Sequence, residues 1–500
     1  MRKNRKPSGY ASTLRYLYGL QYRGIKVGLK NIRALTASVG HPERTFPCFH
    51  CAGTNGKGST SSFLASILTE SGYRTGLYTS PHLVDFVERI RIDGIPIPEA
   101  ALVEYARKLR PAIDKTGATF FEATTCIAFQ YFADQEVDVA VIETGLGGRL
   151  DATNVVIPLV SIITNVGLDH QEILGKTIRK IAREKAGIIK PGSPVVTSAK
   201  GEALEVIRQT ARRVRTPLYV PNDARLLSRK LTRVQTNSVR SDSEALHLPF
   251  RPNAFAGEVL ASPSGPDLSG ERAFLSQSGP QAKLTSLKLG LSGSHQVRNA
   301  QLALGALSIV HSRGLFDRVS LRAIERGLAR VVENTGLRGR MESVPGKAAD
   351  YVIDVGHNPA GIETAVAAFQ QRNMRFPVAV FGAMKDKDTL GMLDAVRKCA
   401  DKVVIVRPRL PRAETVASLV RKGRQLGIDV EAGGTVERGI KLANALVKKD
   451  NTRPGPPGRA PASRRGGSRS RATVRRRTRI LIIGSHYVAG EALTALKNIA

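Results

Sequence analysis

At 500 residues the chain is too long for one ordinary domain and suits two or three. A hydrophobic share of 42% excludes wholesale disorder, and no apolar run approaches the roughly 18 to 20 residues of a membrane span. Four cysteines exclude a disulfide scaffold and fit a reducing compartment, so a cytoplasmic protein with no membrane association is expected. The formal charge of +34 is partly local. The stretch 451–479 holds ten arginines and no acid among Pro, Gly and Ser, and Arg2, Lys3, Arg5 and Lys6 add four more charges. Such a field attracts polyanions weakly and without specificity. At 5% aromatic content and no Trp, the sequence shows no basic–aromatic interleaving of the kind that stacks bases.

In chain order, residues 1–9 are basic and polar, with no apolar stretch behind them that reads as a secretory signal. Short, β-branched, mostly apolar runs at 46–52, 75–79, 137–143, 160–164 and 194–197 predict strands. Helical patterns at 59–71, 99–115 and 122–133 lie between them. This alternation predicts a parallel sheet covered on both faces. From 223 to 290 the pattern dissolves into Ser, Gly, Pro and scattered apolar residues, an irregular or hairpin-containing appendage. It resumes after a helical stretch at 296–310 and a Gly-rich crossing at 336–340. Strands are expected at 351–355, 378–382, 402–406 and 479–484, with helices at 360–371, 390–399 and 413–426. The segment 451–479 has no hydrophobic period and reads as a disordered, solvated loop inserted before the last strand. The fold expected is two tandem α/β domains. A P-loop-type parallel-sheet ATPase domain spans 1–335, a linker 336–345, and a smaller Rossmann-like domain 346–500. A monomer is expected.

The most informative stretch is Gly53, Thr54, Asn55, Gly56, Lys57, Gly58, Ser59 and Thr60, which follows a strand and opens a helix. Glycines let the backbone curl until several N–H groups face one anion, and the helix N-terminus adds its partial positive charge. Lys57 supplies a cation for the phosphates, and Ser59 or Thr60 a hydroxyl for Mg²⁺. The motif departs from the standard form, with Cys51 at the place of the first glycine and Gly58 between Lys57 and the hydroxyl residue. Triphosphate binding is the better reading of the strand–loop–helix context. Cys48 and Cys51 form a CxxC with no second pair to complete a zinc site. Their spacing puts them on opposite faces of a strand, which reads as ordinary packing.

Further motifs fall at or beyond the carboxyl ends of the predicted strands, where open parallel sheets bind ligands. They are Thr79-Ser80-Pro81-His82-Leu83, Glu143-Thr144-Gly145-Leu146-Gly147-Gly148-Arg149-Leu150-Asp151, Asn165-Val166-Gly167-Leu168-Asp169-His170 and Arg183-Glu184-Lys185-Ala186-Gly187. Later come His295-Gln296-Val297-Arg298-Asn299, Gly339-Arg340-Met341-Glu342, Asp354-Val355-Gly356-His357-Asn358-Pro359, Gly382-Ala383-Met384-Lys385-Asp386-Lys387 and Gly484-Ser485-His486-Tyr487. Taken together and in this order, they resemble the folylpolyglutamate synthase/dihydrofolate synthase family of the Mur ligase superfamily. The resemblance runs from Gly24 to Tyr487, except for the appendage and the Arg-rich stretch.

The resemblance implies ATP and two Mg²⁺ ions. Ser80, Glu143 and His170 match Mg²⁺ ligands, and Lys185 matches a lysine carboxylated to a carbamate that holds the second ion. Asn299, Arg340 and Asp354 match ATP-contacting positions, and His357 the residue facing the reaction centre. With Lys57 and Lys185, His357 makes the expected catalytic set. The pterin side falls on Phe121, Glu122, Leu150, Asp151 and Ala152. His82 either lines the site or packs behind Pro81. The implied reaction is ATP-driven amide formation between a folate carboxylate, or dihydropteroate, and L-glutamate through an acyl phosphate, with the second domain, the glutamate-ligase domain, closing over the first. A ligase acting on a cell-wall precursor is the nearest alternative, although the Gly-Leu-Gly-Gly-Arg-Leu-Asp run favours folate. A nucleic-acid-binding ATPase would account for the charge, but the sequence carries no recognisable helicase motif series.

Overall fold

The computed structural model describes residues 8–24, 28–221, 248–249, 286–451 and 477–499. It divides into two compact units, Met1–Arg338 and Gly339–Ala500. Strands of the first unit are β1 (Cys48–Ala52), β2 (Thr75–Tyr78), β3 (Ile90–Ile92), β4 (Ile95–Pro96), β5 (Val139–Glu143), β6 (Val160–Ile163), β7 (Val195–Thr197) and β8 (Leu218–Tyr219). They form one sheet in the order β4-β3-β2-β5-β1-β6-β7-β8. The six strands from β2 to β8 in this order are parallel, as their near-continuous burial requires.

The remaining two correct the expectation of a purely parallel sheet. β3 and β4 form an antiparallel edge hairpin on β2. Its turn is Asp93-Gly94, both residues at positive φ (50° and 78°). An Asp-Gly between Ile-Arg-Ile and Ile-Pro-Ile is a hairpin signal in its own right, because a type I′ two-residue turn takes left-handed backbone at both positions.

Side chains alternate across the sheet, and the two faces carry separate cores. Cys48 packs on one face with Tyr78, Phe86, Phe129 and Phe132, under the helices Ser8–Gly19, Lys30–Ala37, Glu99–Thr116 and Phe120–Asp134. Phe49 and Cys51 pack on the other, against the helices Lys57–Glu70 and Ser294–His311. All four cysteines are free and buried. The helices Ile178–Ala186 and Gly201–Arg213 cover the β6–β7 side. The appendage expected at 223–290 lies almost entirely outside the described residues. Within it, β9 (Leu248–Pro249) pairs antiparallel with β10 (Ser286–Leu287).

The second unit is a six-stranded sheet of β11 (Glu342–Val344), β12 (Asp350–Ile353), β13 (Phe376–Phe381), β14 (Ala400–Arg407), β15 (Asp429–Thr435) and β16 (Arg479–Ile483). The order is β11-β12-β16-β13-β14-β15. The last strand of the chain therefore enters the middle, parallel to β12 and β13. β11, within the stretch read as linker, is an antiparallel edge strand of this sheet. The expected loop at 451–479 precedes β16 and lies almost wholly outside the described residues. Among the described residues, no helix is long and apolar enough to cross a membrane.

The helix Leu321–Ala329 presses directly on the helix Lys57–Glu70. A Cβ on Gly327 would stand 2.6 Å from Ile67 Cα, and Ser66 Oγ donates to the Gly327 carbonyl at 2.7 Å. Gly327→Ala is expected to destabilise the protein by about 1–3 kcal/mol through overpacking, read as a lowered urea midpoint. An unchanged midpoint would show that this contact yields without cost.

Candidate functional site

The chain turns from β1 into the helix Lys57–Glu70 through Gly53–Gly56. Gly53 and Gly56 have φ of 155° and 86°. Neither position has room for a side chain. A Cβ at Gly53 would fall 1.8 Å from Thr164 Oγ1, and one at Gly56 would fall 2.5 Å from Asn299 Oδ1.

The loop is sewn to the end of the neighbouring strand β6. Thr54 N donates to the Asn165 carbonyl (3.0 Å) and Asn55 N to Asn165 Oδ1 (2.9 Å). Thr164 Oγ1 donates to the Asn55 carbonyl (2.7 Å), and Gly167 N to Thr54 Oγ1 (3.0 Å). Thr164 and Asn165 were not among the expected site residues. Their signal is a pair of short polar side chains directly where a buried strand ends. Ser59 and Thr60 are buried in the first helical turn, and Thr60 Oγ1 has no hydrogen-bond partner.

Two lysines converge on this turn. Lys57 Nζ donates to the carbonyls of Gly53 (3.2 Å) and Thr54 (3.5 Å). Lys185 Nζ, on the helix Ile178–Ala186, donates to the same Gly53 carbonyl at 2.8 Å. Lys185 is fully enclosed, and burial followed by the repulsion of Lys57 pushes its ammonium down to about 7. Its neighbour Glu184 is turned away into an ion pair with Arg149 at 2.8 Å.

Glu143 ends β5, buried, and its Oε2 accepts from Ser80 N at 3.1 Å across the adjoining end of β2. His170 stands at positive φ (49°) ahead of the short helix Gln171–Leu174, with Nε2 3.9 Å from Asp169 Oδ2. Among the described residues no three His, Cys, Asp or Glu gather as a metal cluster. The expected set contains only two of those types, Glu143 and His170. The joined pair Ser80 and Glu143 offers a hydroxyl and a carboxylate, hard oxygen donors suited to Mg²⁺.

The expected pterin residues divide. Phe121 packs on Gly145, where a Cβ would come within 2.5 Å of its ring, and lies 6.1 Å from the Tyr78 ring. The Glu122 carboxylate closes a capping box, accepting from Thr119 N at 2.8 Å. Leu150 is half-buried and Ala152 sits in the core. Asp151 is buried and accepts from Leu146 N (2.7 Å), Thr153 N (3.0 Å) and Thr153 Oγ1, while burial pushes its carboxyl up. His82 packs rather than titrates. Its Nδ1 accepts from Arg89 Nε at 2.8 Å, and burial drives its imidazolium down to about 3.

In the second unit Asp354 ties the turn after β12, accepting from Met341 N (3.0 Å) and Gly356 N (2.8 Å). Burial pushes its carboxyl up, and Arg340 pulls it back. His357 Nδ1 donates to the Val355 carbonyl at 3.1 Å, and its ring lies 4.7 Å from that of His486.

The sequence of the first unit matches the family model for the Mur ligase middle domain over residues 51–307. That of the second matches the Mur ligase glutamate ligase domain over 339–452. The dihydrofolate synthase/folylpolyglutamate synthase of Bacillus subtilis is 36% identical over 422 residues, 82% of this chain and 88% of that protein. The chain belongs to that family of Mur ligases. Folylpolyglutamate synthase of Mycobacterium tuberculosis, solved with ADP, superimposes with a TM-score of 0.77 at 30% identity, covering 98% of this chain and 99% of that one. Escherichia coli FolC, solved with DHPP and ADP, gives 0.72 at 27% identity over 99% of each chain.

For this ligase, the bracing of the loop by Asn165 yields a direct test. Asn165→Ala removes the Oδ1 that accepts from Asn55 N and loosens the turn, so ADP affinity by calorimetry is expected to fall about tenfold. Unchanged affinity would mean that the loop holds its shape alone.

Proposed function

We propose that this chain joins L-glutamate to folates, and to dihydropteroate, by ATP-driven amide formation. The observation that carries the reading is the glycine turn with Lys57 and Lys185 on one carbonyl, in a chain that belongs to the folylpolyglutamate/dihydrofolate synthases. Likeness along nearly the whole length of folylpolyglutamate synthases favours a folate over a wall precursor. The double name of the Bacillus relative supports activity on both pterin substrates.

A carboxylate resists attack by an amine because oxide is its leaving group. Transfer of the γ-phosphoryl group to the substrate carboxylate makes an acyl phosphate, and phosphate leaves readily. The glutamate amine then attacks, giving amide, ADP and phosphate. Alignment and charge neutralisation are the protein's tasks. The amides of Lys57, Gly58 and Ser59 at the head of the helix and the Lys57 ammonium hold the phosphates, with the glycine turn shaping the approach and Asn299 against it. Ser80, Glu143 and His170 would hold one Mg²⁺, and Lys185, once carbamylated, a second. Bound there, magnesium offsets charge on the transferring group. An ammonium pushed down to about 7 leaves much of Lys185 as neutral amine at physiological pH, the form that adds carbon dioxide. Arg340, Asp354 and His357 are assigned to the nucleotide and reaction centre by their motifs. Phe121, Leu150 and Asp151 are assigned to the pterin side, and Glu122 and Ala152 to its framework. The reading includes a cytoplasmic monomer, and an Arg-rich stretch at 451–479 that attracts polyanions weakly.

Lys57→Ala is expected to abolish glutamate-dependent ADP release while the far-ultraviolet spectrum stays unchanged. Retained turnover would remove the phosphate loop from the mechanism. Lys185→Ala is expected to lose activity and regain part of it with small organic acids in the buffer. No rescue, together with an unmodified Lys185 in the mass spectrum of active enzyme, would count against the carbamate.

A further inference from the structure

One strand residue has no part in the site as described. β1 is apolar except for His50, which has no solvent exposure. Burial, with Lys190 nearby, pushes its imidazolium down to about 3, so the ring is neutral. Its Nε2 lies 2.8 Å from Thr153 Oγ1, and Thr153 Oγ1 is bonded in turn to Asp151 Oδ1. All three side chains are buried.

Valence fixes the protons. An ionised Asp151 can only accept, as it does from Leu146 N and Thr153 N. The single hydroxyl proton of Thr153 therefore goes to Asp151, and His50 Nε2–H must donate to Thr153. That leaves Nδ1 bare, and Nδ1 is buried with no hydrogen-bond partner. An unsatisfied buried acceptor is costly, and a leucine would fill a strand position without that cost. A histidine kept here under that penalty points to a use for its donor.

We infer that His50, acting through Thr153, is a positioning residue that fixes the Asp151 carboxylate for the pterin-bearing substrate. The inference rests on the reading above that Asp151 faces that substrate. Donation from His50 locks the Thr153 hydroxyl rotor onto Asp151. Without it the Thr153 oxygen loses the donor that polarises its O–H and anchors the side chain, and its bond to the carboxylate weakens. The phosphate loop is braced separately, by Thr164 and Asn165, so nucleotide binding does not depend on this chain of bonds.

The test is steady-state kinetics of the full-length enzyme, with tetrahydrofolate and ATP varied in turn, on His50→Leu, His50→Gln, Thr153→Val and Asp151→Asn. Leucine removes the donor, whereas the glutamine amide nitrogen can stand where Nε2 does. Valine keeps the shape of Thr153 and removes the hydroxyl. His50→Leu and Thr153→Val are each expected to raise the KM for tetrahydrofolate about tenfold with the KM for ATP unchanged, and His50→Gln to restore most of the loss. Equal rises in both KM values, or a glutamine variant no better than leucine, would reduce His50 to strand packing. If His50→Leu does not fold, the Thr153→Val and His50→Gln pair decides by the same split. Asp151→Asn separates the two levels. If it raises the folate KM while Thr153→Val does not, the positioning role fails and the reading of Asp151 stands. If it leaves the folate KM unchanged, that reading fails and the inference with it.

Discussion

Two ammonium groups share one backbone carbonyl. Lys57 and Lys185 both donate to Gly53 O, at 3.2 and 2.8 Å, and their charges oppose each other enough to help lower Lys185. A neutral carbonyl can orient two cations but cannot neutralise them. The Lys57 ammonium and the amides that open its helix form a positive end suited to a polyphosphate. This arrangement depends on the left-handed backbone at Gly53, since that conformation aims the carbonyl at both lysines while leaving no room for a side chain against Thr164.

The sheet supplies the rest. Parallel strands end at one edge, so β1, β2, β5 and β6 deliver Gly53, Ser80, Glu143 and Asn165 to the same end of the first unit. The alternation of β1 also divides its labour between faces. Phe49 and Cys51 seat the helix that carries Lys57, while His50 reaches the opposite side and the Asp151 turn. One five-residue strand thus supports both the glycine turn and the Asp151 turn.

Much of this was legible in the sequence because its periodicities were strong. The central parallel strands and the helices expected between them lie within a few residues of their expected places, since strand burial is nearly continuous. The helices Ser8–Gly19, Gly201–Arg213, Val436–Asn451 and His486–Ile499 were not expected. Weak elements escaped. The hairpin β3–β4 is too short to show a period, and only its Asp93-Gly94 turn announces it. β15, broken by Gly433 and Gly434, carries little β propensity, and its neighbours in the sheet make it a strand. At the site, the glycines and Lys57 could be read because their spacing encodes a backbone path. The bracing by Thr164 and Asn165 and the His50–Thr153–Asp151 chain could not, since the latter joins residues about a hundred positions apart that only strand order brings together. The Glu122 capping box has a local signal, Thr119 followed three residues later by a glutamate, but Glu122 was expected on the pterin side instead.

The central claim is that phosphoryl transfer here serves amide formation on a folate. The most direct measurement is the mass of the products formed by the purified full-length protein with ATP, Mg²⁺ and L-glutamate. Tetrahydrofolate, dihydropteroate and a cell-wall precursor are each offered alone. The account predicts that both pterins gain a glutamyl residue, one ADP appears for each bond made, and the wall precursor is left unchanged. Glutamate addition to the wall precursor alone, or ADP release with no glutamylated pterin, would contradict it.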